Sequence, residues 1–114
     1  MPNQWDHMNL ENIVHSANKV GLEYARAKKK YERLELFKPT YKAKAMEKYD
    51  DGTRSEVKIK RLAEIDQEYI KFLELLAEAR AESESLRIRY ESFKNLFEAR
   101  RSMLSYQKAE MKIL

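Results

Sequence analysis

Apolar residues recur along most of this chain at alternating steps of three and four. In the first half, Leu10, Ile13, Ala17, Val20, Tyr24, Ala27, Tyr31 and Leu34 keep that spacing. In the second half it runs through Leu62, Ile65, Tyr69, Phe72, Leu76, Ala79, Ser83, Leu86, Tyr90, Phe93 and Phe97, with Ser83 the one polar member. Such spacing lines one face of an α-helix, in the manner of a coiled coil. It leaves Glu64, Glu68, Lys71, Glu74, Glu78, Arg80, Glu82, Arg87 and Arg89 for water. Neither Gly nor Pro occurs from Arg54 onward. The pattern therefore predicts a second long helix over residues 54–112, about 85 Å long at ~1.5 Å per residue.

A first helix is predicted over residues 9–49, after a loose polar start (1–8) in which Trp5 is an apolar anchor. Gly21 weakens that helix by about 1 kcal/mol relative to Ala. Pro39 removes a backbone donor and crowds the preceding turn, which predicts a kink near Phe37 and Lys38. Beyond it the apolar phase moves to Tyr41, Ala45 and Tyr49. Asp50-Asp51-Gly52-Thr53 reads as a turn, and Thr53 with Glu56 as a capping box for the next helix.

Two long amphipathic helices on so short a link fold back on each other. The expected architecture is all-α, an elongated antiparallel helical hairpin forming a single domain over 1–114. With the turn centred on Asp51 and Gly52, Leu10 falls opposite Phe93, and the second helix overhangs by about 20 residues, roughly 30 Å. That overhang holds Leu96, Phe97, Met103, Leu104, Tyr106, Met111, Ile113 and Leu114. Two helices alone cannot cover it, so self-association is expected through Tyr90, Phe93, Phe97, Met103 and Leu104. Ala77, Ala79, Ala81, Ser83 and Ser85 allow another helix to approach closely, or simply favour helix.

Composition narrows the class. A chain of 114 residues that is 43% hydrophobic and 37% charged, with two Gly and two Pro, has few loops and suits an extended helical shape. Cys is absent, which removes disulfides and thiolate metal sites. No apolar run reaches ~20 residues, and the start lacks a basic-then-apolar signal pattern. These features predict a soluble cytoplasmic protein without a membrane role.

Charge changes the picture more. Residues 26–61 carry 13 Lys and Arg against six Asp and Glu, a net +7, whereas residues 62–85 carry a net −5 and residues 86–114 a net +4. The cations Arg26, Lys28, Lys29, Lys30, Arg33, Lys38, Lys42, Lys44 and Lys48 precede the turn, and Arg54, Lys58, Lys60 and Arg61 follow it. A hairpin gathers the last of these at one end, among Tyr41 and Tyr49. Lysines and arginines neutralise phosphates, and aromatic rings stack on unpaired bases. The candidate nucleic-acid-binding residues are thus Lys42, Lys44, Lys48, Arg54, Lys58, Tyr41 and Tyr49. The bland alternative is solvation of a helix, with Glu32, Glu35, Glu47 and Glu56 as partners.

Catalytic patterns are missing. Gly52 alone makes no phosphate loop, His7 and His15 imply no third metal ligand, and Glu82 and Glu84 lie on a solvated helix. No enzyme activity, metal, cofactor or small-molecule substrate is expected.

Two stretches, KAKAMEKYDDG (42–52) and RSEVKIKRLAEID (54–66), together with RIRYESFKNLFEARRS (87–102), resemble the UvsY family of recombination mediators from T4-like phages. The resemblance covers roughly residues 20–102. It implies single-stranded DNA binding, homo-oligomeric rings, and assistance to a recombinase that displaces single-strand-binding protein, in the host bacterial cytoplasm if phage-encoded. The family's DNA-contacting positions fall on Lys42 and Lys44. The chain departs from the family in a shorter turn, in Pro39, and in a longer basic, aromatic C-terminal end. The competing expectation is a helical scaffold or adaptor that acts through protein contacts. A secreted two-helix substrate fits less well, because the Trp-x-Gly turn is missing. A nucleic-acid-mimicking inhibitor fits less well on charge.

Overall fold

The computed structural model describes residues 9–113, with the side chain of residue 113 excepted. The expectations for Trp5, His7, Leu114 and the loose start at 1–8 lie outside the described residues, as does the side chain of Ile113. The protein is an all-α antiparallel helical hairpin built from α1 (Leu10–Tyr49), α2 (Glu56–Glu64) and α3 (Gln67–Ile113). The chain divides into two compact units. One is Arg26–Ser83, and the other comprises the described residues of Met1–Ala25 and Glu84–Leu114.

Helix α1 starts where the side chain of Asn9 accepts the backbone N–H of Asn12 at 2.8 Å, satisfying an orphan donor of the first turn. Its apolar stripe faces inward as expected: Ile13, Val20 and Ala27 are buried, and Leu10, Ala17, Tyr24, Tyr31 and Leu34 are half-buried. The helix runs unbroken through Pro39. Pro39 donates no bond to the carbonyl of Glu35, but residues 36–41 are exposed, so water can reach that carbonyl.

In the Arg26–Ser83 unit, Ala45, Ala63, Tyr69, Phe72 and Leu76 form the buried core, with Tyr31, Leu34, Met46 and Leu73 packed around it. Tyr41 stacks face to face on Phe72, with ring centroids 4.1 Å apart. Numbers fall along α3 as they rise along α1, the signature of antiparallel pairing. The other unit shows the same sense. Tyr24 meets Tyr90 at 6.3 Å between centroids, and the Tyr90 ring edge lies over Gly21, where an added Cβ would sit 2.9 Å from it.

The link differs from expectation in three ways. First, the helix after the turn is not continuous: α2 ends at Glu64 and α3 begins at Gln67. Asp66 causes the restart, because its carboxylate accepts the backbone N–H of Tyr69 at 3.2 Å as an N-cap. The break resets the phase of the stripe. Ile65 is 66% exposed and Leu62 half-buried, while Ile59 and Ala63 turn inward.

Second, Thr53 is not the cap of α2. Asp51 takes the backbone N–H and hydroxyl of Thr53 into the turn, and Ser55 caps α2 by accepting the N–H of Lys58 at 3.2 Å. Gly52 supplies the positive φ of 80° that this turn requires. Third, the overhang is shorter. Residues 50–55 and α2 occupy the chain between the paired residues Lys48 and Asp66, which slides α3 along α1. Val14, Ala17 and Asn18 share a groove with Tyr90, Lys94, Phe97 and Glu98, so the uncovered stretch is residues 101–112, all exposed.

Candidate nucleic-acid interface

The turn end of the hairpin was the candidate site, and its residues have two kinds of surroundings. Lys48, Tyr49 and Asp66 form a closed network. The Asp66 carboxylate is 3% exposed and accepts the Lys48 ammonium at 2.9 Å and the Tyr49 hydroxyl at 2.8 Å. The bond from Lys48, then that from Tyr49, hold the Asp66 carboxyl at about 2, below its ordinary 3.8. The same contacts raise the Lys48 ammonium and the Tyr49 phenol. Lys48 and Tyr49 therefore join the end of α1 to the start of α3. Tyr41 has one ring face occupied by Phe72. Arg54 donates to the Tyr49 carbonyl at 2.8 Å and lies 3.7 Å from Asp51, so it closes the turn.

Half-buried Lys42 is 3.9 Å from exposed Glu64, a loose pair in which a phosphate can replace the carboxylate. Lys44 and Lys58 are exposed and have no ion pair among the described residues. Thus Lys42, Lys44 and Lys58 can reach a ligand at this end, while Lys48, Tyr49 and Arg54 are engaged in holding it together.

The basic half of α1 lies antiparallel to the acidic stretch of α3, yet among the described residues only Lys42 and Lys48 of α1 reach carboxylates beyond the turn, on Glu64 and Asp66. Arg26, Lys29, Lys30, Arg33, Lys38, Lys44, Lys58 and Arg61 are all exposed, and none has an ion pair among the described residues. Sequence reasoning named these cations but weighted the turn end. It missed Phe37, 44% exposed among them on α1. The signal was available in the spacing of Lys30, Arg33, Phe37 and Lys44.

Of the expected interface residues, Tyr90 and Phe97 pack toward α1, and Phe93 lines a groove on α3 with Ile88, Arg89, Ser92 and Leu96. Met103 and Leu104 are 54% and 50% exposed. Among the described residues no three of His, Cys, Asp or Glu are placed to hold a metal ion. Among the described residues no helix is long and apolar enough to cross a membrane. No family model, curated protein or solved structure matches the chain.

Proposed function

We propose that the chain binds single-stranded DNA through its phosphates and acts as a recombination mediator. It would assemble as a homo-oligomer and help to load a recombinase on strands covered by single-strand-binding protein. The observation that carries this reading is the set of exposed cations in residues 26–61 that form no ion pair among the described residues. Each such cation that neutralises a phosphate releases counterions condensed on the nucleic acid, which makes binding favourable without reading sequence. The resemblance of residues 42–52 and 54–66 to UvsY-type mediators adds the biological role. An array of such weak sites on identical subunits grips a flexible strand by multivalency.

Affinity for oligo-dT should fall steeply as salt rises, and a flat response would exclude phosphate gripping. Lys42→Ala with Lys44→Ala should weaken binding while leaving helicity unchanged.

A protein-binding scaffold is the second reading. It is favoured by the apolar groove of Ile88, Phe93 and Leu96 on α3. An electrophoretic shift with single-stranded DNA separates the two, since the scaffold produces none.

A further inference from the structure

Four of the free cations on α1 share one flank, with Lys29 and Lys38 off it. Arg26, Lys30, Arg33, Phe37, Thr40 and Lys44 follow one another at steps of four and three, and four of them stand one position before the inward-facing Ala27, Tyr31, Leu34 and Ala45. That spacing keeps them on one flank of the helix. All six are exposed. The acidic residues of this part of α1 are occupied elsewhere: Glu32 pairs with Lys28, and Glu35 accepts the Tyr31 hydroxyl. Among the described residues, no carboxylate of α3 forms an ion pair with the row.

We infer that this flank is a track for a single strand, with Arg26, Lys30, Arg33 and Lys44 on phosphates spaced along it and Phe37 under a base. This deepens the nucleic-acid reading above and rests on it. From Arg26 to Lys44 the row spans about 27 Å at ~1.5 Å per residue. At the ~3.4 Å repeat of a stacked strand, that accommodates about eight nucleotides, fewer if the strand is stretched. Phe37 fits the stacking role better than Tyr41 or Tyr49, because one Tyr41 face lies on Phe72 and the Tyr49 hydroxyl is bound to Asp66. A ring between cations serves any base, so the track is tolerant of sequence. A duplex hides its base faces and cannot use Phe37.

The test is equilibrium binding of the whole chain to oligo-dT of four to sixteen nucleotides across a salt series, with circular dichroism confirming each variant's fold. Replacing Arg26, Lys30 and Arg33 together by Gln should lower the magnitude of the log–log salt slope by about 2, at roughly 0.7 per phosphate contact. Phe37→Ala should weaken oligo-dT binding about tenfold, and leave duplex binding unchanged. Phe37→Trp, in a Trp5→Phe background, should show fluorescence quenched by oligo-dT. If the wild-type chain binds and these variants bind equally well, the track is wrong while the DNA-binding reading stands. If heparin competes fully and Phe37→Ala changes nothing, the flank is a general polyanion surface and the stacking track is overturned. If the wild-type chain does not bind at all, both fall.

Discussion

Asp66 does more for this fold than its place in an acidic run suggests. It caps α3, ends the α2 phase, and takes Lys48 and Tyr49 from α1, all through one buried carboxylate. Its carboxyl stands at about 2 in the fold against an ordinary 3.8. A group depressed in this way adds stability above its unfolded value, and that stability is lost as pH falls through the folded one. The melting temperature should therefore drop between pH 4 and pH 2. Asp66→Asn should melt lower at pH 7 and show a shallower drop in that window, measured by circular dichroism. Asp51 sits at about 2 as well, held first by the backbone N–H of Thr53 and then by its hydroxyl. The Asp66 variant should therefore flatten only part of the curve, and adding Asp51→Asn should flatten more. A pH profile unchanged by Asp66→Asn would exclude the network as a source of acid sensitivity.

Among the elements, α1 was the most legible from sequence, because its stripe keeps one phase from Leu10 to Leu34 and its residues turn inward as the spacing requires. The second half was less so. A period-seven pattern carries straight across Ile65 and Asp66, and nothing local separates an acidic residue on a solvated face from one that caps a new helix. The decisive contacts come from Lys48 and Tyr49, eighteen and seventeen positions away. The candidate site was legible as a charge excess and not as a surface, since pairing with Asp66 removes Lys48 while leaving Lys44 free. Gly21 shows how tertiary packing overrides propensity. As a helix residue it costs about 1 kcal/mol relative to Ala, but an added Cβ would meet the Tyr90 ring at 2.9 Å. Gly21→Ala should accordingly lower the melting temperature in the wild-type background. With Tyr90→Ala the same change should raise stability by about 1 kcal/mol in urea unfolding. The same sign in both backgrounds would show that the ring does not need the glycine.

For the molecule as a whole, the question is what covers the end of α3. Met103, Leu104, Tyr106 and Met111 are 54%, 50%, 66% and 76% exposed. The overhang expected from sequence was about 20 residues, against the exposed stretch of 101–112 in the structure. A second copy suits the vacancy on charge, because residues 86–114 carry a net +4 and residues 62–85 a net −5. One copy's basic end can therefore lie beside another's acidic stretch, with methionines adapting to the contact. Such assembly would multiply the cationic flank of α1 into the array that a mediator needs. Light scattering of the wild-type chain should give a mass above that of one 13.7 kDa subunit. Met103→Glu with Leu104→Glu should return it toward a single subunit with helicity retained, and weaken binding to long oligo-dT more than to oligonucleotides of about eight residues. A wild-type chain with the mass of one subunit, with and without DNA, would exclude assembly and leave any strand gripped by one flank at a time.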